Sequence, residues 1–276
     1  MTTLNDLHSI SSTFSNTDKM PVLFLGHGSP MNAIEENQFV AGFRNLAKTL
    51  PQPNAILCIS AHWFTNGTKV TSMQVPRTIH DFGGFPQALF DVQYPAAGSP
   101  ELALETQKIL EPVHVDLDEH WGLDHGAWSV IKHLYPEANV PVIQLSIDYT
   151  KSGQSHFELA QKLQSLRHKG VLIIGSGNIV HNLRLVDFRN FDKDNYGFDW
   201  AIEARETINN HLLDGNFLPL INFEKMNKAT QLAIPTPEHY LPLLYTLGLK
   251  EESEELTLFN DKLLAGSLSM TSVKIM

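Results

Sequence analysis

The chain's strongest constraint is an unbroken apolar run, Val22-Leu23-Phe24-Leu25, that ends on a histidine fenced by two glycines, Gly26-His27-Gly28-Ser29-Pro30. A run apolar at every position, not at every second one, suits a parallel strand buried on both faces. In open α/β sheets ligands bind beyond the carboxyl ends of such strands, which is where His27 is expected. A second stretch repeats the design: Ala55-Ile56-Leu57-Cys58-Ile59-Ser60-Ala61-His62-Trp63. Two buried strands delivering imidazoles at the same end would make half of a metal site.

The remaining strands and helices alternate. The apolar spacing of Phe39, Val40, Phe43, Leu46 and Leu50 predicts a helix over 35–50, closed by Pro51 and Pro53. Strands are expected at 69–75, 113–117, 140–147 and 171–174, and helices at 100–110 and 128–134. A further helix is predicted with a Ser155/Glu158 capping box and a stop at Gly170. Residues 200–213 read as helical, and the stretch from there to Leu232 has no clear pattern. Thr236 and Pro237 resemble a helix entry, with Pro242 an expected kink inside it. Leu268 and Met270 alternate, then Val273 and Ile275 alternate one step out, which predicts a bulge at Thr271-Ser272. The alternation indicates a single α/β domain over 20–276, its central sheet mostly parallel and flanked by helices on both faces, after a polar, flexible leader at 1–19.

Composition narrows the function. With 42% hydrophobic residues and 276 positions the chain can bury a sizeable core. A formal charge of −10 and no basic patch argue against nucleic acid as a partner. No apolar run approaches the roughly 18 residues of a membrane span. The leader has no apolar core and no basic start, so it is not a secretory signal. The lone cysteine, Cys58, is expected to be a buried hydrophobe, and the expected location is the cytoplasm.

Thirteen histidines are present. His8, His114, His133, His156, His168 and His211 sit in polar or helical surroundings and are expected to be solvated. His27, His62, His125, His181 and His239 lie at strand ends, in glycine-rich turns or at a helix start, where site residues concentrate. Imidazole suits zinc, iron, copper or nickel. His239, read in a first helical turn, would feel the positive end of the dipole and stay neutral. Glu238 is a competing ligand, but adjacent helical side chains diverge by about 100°. The loop His80-Asp81-Phe82-Gly83-Gly84-Phe85-Pro86 has the composition of a mobile cover over a pocket. Two weaker patterns carry nothing. Gly175-x-Gly177-x-x-Val180 lacks the third small residue of a dinucleotide fingerprint, and Ser29, Ser60 and Ser176 show no nucleophile elbow.

Six segments, in order, add a resemblance: Gly-His27-Gly-Ser-Pro-Met, Ser-Ala-His62-Trp, Ile-His80-Asp-Phe-Gly-Gly-Phe-Pro, Leu-Asp-His125-Gly, Gly-Asn-Ile-Val-His181-Asn-Leu and Pro-Thr-Pro-Glu-His239-Tyr. Together they resemble the 4,5-DOPA extradiol dioxygenases, a branch of the class III extradiol ring-cleaving dioxygenases in the superfamily of the protocatechuate 4,5-dioxygenase catalytic subunit. The resemblance runs from about Met20 to the C-terminus. It implies a mononuclear non-haem metal, Fe(II) for activity, with Zn(II) able to occupy the site in the isolated protein. It also implies a small catechol, DOPA-like, and O2 as the reacting partners. His27, His62 and His239 match the metal-binding positions, and His181 matches either a further ligand or the acid/base histidine. His125 matches the histidine that contacts substrate and moves protons. His80, Phe82 and Phe85 are expected to border the substrate. The protocatechuate branch uses a glutamate as third ligand, which keeps Glu238 open. A zinc hydrolase and a non-catalytic metal-binding protein are the alternatives on the same residues.

Overall fold

A computed structural model of the protein describes residues 17–276 apart from Asp192. The greater part of the expected leader, residues 1–16, lies outside the described residues. Its last residues are tied down: Thr17 donates its backbone N–H to His168 O, and Lys19 pairs with Glu251 at 2.7 Å and with Glu254 at 3.0 Å.

The strands, in chain order, are β1 (Val22–Gly26), β2 (Ala55–Thr65), β3 (Thr68–Thr71), β4 (Val115–Asp118), β5 (Val142–Asp148), β6 (Val171–Gly177), β7 (Leu256–Phe259), β8 (Leu263–Leu264), β9 (Leu268–Ser269) and β10 (Ser272–Ile275). Eight of them form one sheet in the order β4-β3-β5-β2-β6-β1-β10-β7, and β8 pairs with β9 apart from it. The pairs β5–β2, β2–β6 and β6–β1 are parallel, while β10 lies antiparallel between β1 and β7. The expected α/β domain with a mostly parallel sheet is therefore what the chain forms.

The continuous apolar runs have their predicted cause. Along β1, Val22 and Phe24 enter one buried cluster while Leu23 and Leu25 enter another on the opposite face, and in β2 Leu57 and Ile59 oppose Ile56 and Cys58 in the same way. The helix Gln38–Ala47 adds Phe39, Phe43 and Leu46 to the second cluster, and Gly153–Lys162 and Leu241–Gly248 cover the first. Each such side chain taken from water contributes on the order of 1.5–3 kcal/mol before entropy is counted.

Several boundaries differ from expectation. The helix expected at 128–134 begins at His125, because Asp124 caps it by accepting the N–H of Ala127 at 3.1 Å. Ser152, not Ser155, caps the helix Gly153–Lys162. Pro242 does not kink a helix; it stands in the first turn of Leu241–Gly248, where its missing N–H costs nothing. The anticipated bulge at Thr271-Ser272 is a break between two strands, since β9 pairs with β8 and β10 with β1 and β7. Two histidines expected in solvent are buried: His133 at 2.7 Å from Asn32 O, and His156 at 3.0 Å from the Tyr245 hydroxyl. Cys58 is buried as expected. Among the described residues no helix is long and apolar enough to cross a membrane.

Candidate metal centre

β6 lies between β1 and β2, so the carboxyl ends of these three parallel strands open onto one place. β1 ends at Gly26, and His27 keeps one ladder bond, its N–H donating to Gly177 O at 3.0 Å. Gly28 then turns the chain with φ of 61°, in the region that favours glycine. Asn32 holds the turn by donating to His27 O at 2.9 Å. His62 arrives differently from the expected strand end. β2 continues to Thr65, but its register against β5 shifts between Ile59 and Phe64, and His62 lies in that irregular stretch.

His239 is not in a helix; it sits in the turn before Leu241–Gly248, so the dipole argument does not apply to it. The turn is held against the end of β6, where Asn178 donates its N–H to His239 O at 2.9 Å. A Cβ on Gly177 would lie 2.1 Å from that same oxygen. Gly177→Ala is therefore expected to lower stability by about 1–3 kcal/mol, the usual cost of overpacking. Thermal unfolding of the metal-free protein checks this, and an unchanged midpoint would show that the turn yields freely.

The five singled-out histidines converge. The ring centroids of His27 lie 5.0 Å from His62, 5.2 Å from His239 and 5.9 Å from His125, while His62 and His125 are 3.9 Å apart. His181 stacks on His239 at 3.6 Å. The nitrogens of His27, His62 and His125 form one group within 4.8 Å of one another, and those of His181 and His239 with a Glu238 oxygen form a second. Burial sets the charge state. It pushes His27 well below its ordinary pKa, His239 down to about 4 and His181 to about 3, with neighbouring imidazoles adding to it. Burial acts the same way on His62, but the hydrogen bond to Asp81 and nearby carboxylates outweigh it and raise that ring.

Hydrogen bonds to the outer nitrogens fix which nitrogen is bare. Ser176 donates its hydroxyl to Gly126 O, so its oxygen accepts from His27 Nδ1 at 3.0 Å. The Asp81 carboxylate pairs with His62 Nδ1 at 2.8 Å, and Glu238 lies 3.4 Å from His239 Nδ1 while accepting the Thr236 hydroxyl at 2.6 Å. In its neutral form each ring so held presents Nε2 as its lone pair, the arrangement that outer partners impose on metal-binding imidazoles. The Nε2 atoms of His27 and His62 face each other at 3.3 Å. That distance suits either one shared proton or one cation between two lone pairs. Nitrogens each about 2.1 Å from one zinc-like ion in tetrahedral arrangement would stand about 3.4 Å apart, so the donors fit a metal.

The loop before the helix Gln87–Phe90 lies over this cluster. Phe82 packs edge-on to His125 with centroids 5.3 Å apart, and Phe85 packs on Phe82 at 5.5 Å. His80 stands further out, with Nε2 2.9 Å from Val92 O and its ring against Trp128. Four supporting residues were not singled out as supports: Asp81, Asp124, Ser176 and Asn178. Asp124 is fully buried, and it accepts from Ser60 at 2.6 Å and Gln144 at 2.7 Å beneath His125. The Gly-Asn178 pair and the Asp124-His125 pair were visible as motifs, but their partners lie far along the chain.

Residues 21–268 match the family described as the catalytic LigB subunit of aromatic ring-opening dioxygenase. The chain belongs to this family. It is 47% identical over 270 residues to a 4,5-DOPA dioxygenase extradiol of Escherichia coli K12, covering 96% of this chain and 98% of that relative. It is 36% identical over 258 residues to a 4,5-DOPA dioxygenase extradiol of Beta vulgaris, covering 91% and 94%. A crystal structure of an uncharacterized protein from Escherichia coli K12 superposes with a TM-score of 0.81 at 43% identity, covering 94% of this chain and all of that one. The protein is accordingly a metal-dependent, extradiol ring-opening dioxygenase, with an aromatic compound and O2 as its reactants.

Proposed function

We propose that this dioxygenase opens the ring of a DOPA-like catechol, with His27, His62 and His239 holding iron(II) and with His125 moving protons. The observation that carries the ligand assignment is the facing pair of Nε2 atoms 3.3 Å apart, with the His239 ring 5.2 Å from both. Iron(II) bound there would supply a centre that holds two catechol oxygens and O2 together and carries electron density between them. Zinc(II) fits the same donors but has no redox chemistry.

The protein's own groups do the rest. His125 stands beside His62 at the mouth of the cluster, its side chain 7% exposed, and burial lowers its pKa despite Asp81. A neutral imidazole there accepts a catechol hydroxyl proton and returns it later. His181, stacked on His239, is placed either to complete the ligand set or to share this proton transfer. Glu238 serves as the outer partner of His239, since its carboxylate already takes the Thr236 hydroxyl. Phe82 and Phe85 offer an apolar wall to the ring of the substrate and keep water from it. His80, held by Val92 O, fixes the root of that wall. DOPA enters this reading through the names of the relatives from Escherichia coli and Beta vulgaris.

The test is an oxygen-electrode assay with DOPA after anaerobic iron(II) loading. Stoichiometric O2 uptake with a new visible chromophore is expected from the iron form and not from the zinc form. Ester or amide turnover by the zinc form without O2 use would point to a hydrolase instead, and neither activity to a binding protein.

A further inference from the structure

The carboxylate of Asp81 touches two site imidazoles from a loop that belongs to neither of their elements. Its Oδ2 lies 2.8 Å from His62 Nδ1. Its Oδ1 lies 3.0 Å from His125 Nδ1 and accepts the backbone N–H of His125 at 2.9 Å. The His125 ring contact is off the line of a good hydrogen bond, so the backbone bond is the firmer of the two. Only 18% of the Asp81 side chain is exposed, although it lies on a loop at the surface. The next residue, Phe82, packs against His125, and Gly83 and Gly84 follow with open space around both.

These contacts make two events one. A neutral imidazole that gives its Nδ1–H to a carboxylate presents Nε2 as its lone pair, so Asp81 decides which nitrogen of His62 faces the metal position. The same carboxylate is the loop's polar anchor on the helix His125–Leu134. We propose that Asp81 is a positioning residue that couples the aromatic loop 80–86 to the metal site: the loop docks as His62 is oriented for metal, and a bound metal holds the loop closed. This rests on the reading of His62 as a ligand. Asp81 touches no reacting atom; it acts through His62 and through the position of Phe82.

The experiment uses Zn(II) as the probe, so it does not depend on turnover. Zn(II) affinity is measured by chelator competition for the wild type, Asp81→Asn, Asp81→Ala and His62→Ala. Chymotrypsin cleavage after Phe82 is followed with and without Zn(II). Asp81→Ala is expected to bind Zn(II) about 10–100-fold more weakly, the usual loss for an outer partner, with Asp81→Asn between it and the wild type. Zn(II) at saturation should protect Phe82 in the wild type and not in Asp81→Ala. The near-isosteric Asp81→Asn keeps the test open if the alanine variant folds poorly. His62→Ala separates the two readings. If it binds Zn(II) like the wild type, the ligand assignment itself is wrong. If it loses Zn(II) while both Asp81 variants stay within about threefold of wild type, below the range of an outer partner, the coupling is overturned and the ligand assignment stands. Persistent Zn(II) protection of Phe82 in Asp81→Ala overturns it equally.

Discussion

His27→Ala and His62→Ala are expected to abolish metal retention and, with it, ring opening. The two Nε2 atoms face each other at 3.3 Å, and each ring is held by its own outer partner, Ser176 for His27 and Asp81 for His62. Loss of an outer partner costs about 10–100-fold in metal affinity, so loss of the donor itself should exceed about 100-fold. Metal analysis after anaerobic iron(II) loading and desalting measures this directly. Full occupancy in either variant would remove the core of the assignment, and full occupancy in His239→Ala would restrict the ligands to the His27, His62 and His125 group.

His125→Ala should behave in the opposite way, keeping its metal while turnover falls by roughly 10²–10⁴-fold, the worth of general acid–base catalysis. The prediction is pointed because His125 lies close enough to His27 and His62 for its nitrogen to count as a third donor. Position alone therefore leaves two roles open. What favours the proton-transfer role is that the proposed third ligand, His239, lies 5.2 Å from both rings, while His125 packs against the loop that covers the site. Iron content and turnover measured together decide it. A metal-free His125→Ala protein would make His125 a ligand, and near-normal turnover would deny it any chemical role. His181→Ala belongs in the same experiment, since a ligand loses iron on substitution whereas a base loses only rate.

The residues that carry the most burial were the most legible. Val22 to Leu25 and Ala55 to Ile59 read as strands buried on both faces because water is excluded from every position, and the structure buries them all. The five histidines likewise stood out by their place at turns next to such strands. What the sequence hid was contact between distant segments. Asp81 sat in a loop notable for its aromatics, and neither of its partners, His62 and His125, is a neighbour in the chain. Ser176 looked like a failed nucleophile, yet its hydroxyl orients His27. Pro242 was misplaced for a local reason: Thr236 spends its hydroxyl on Glu238 instead of on a helix N–H, so the helix starts later. His133 and His156 were misread because a polar setting in sequence says nothing about which carbonyl or hydroxyl the fold will bring to a ring.

The ligands proposed here come from the turn just after β1, from the irregular stretch of β2 and from the turn before Leu241–Gly248, and they meet only when β6 lies between the first two strands. No one segment brings the three proposed ligands together, so the folded chain should bind the ion more tightly than the unfolded one. An ion that binds only the folded form adds RT ln(1 + [M]/Kd) to stability, about 2.7 kcal/mol when free metal is a hundred times Kd. Differences of that size change how much of a protein survives chaperones and proteases several-fold. A cell short of metal would thus hold fewer molecules of this enzyme as well as less active ones, and supply of the ion would set the lifetime of the chain.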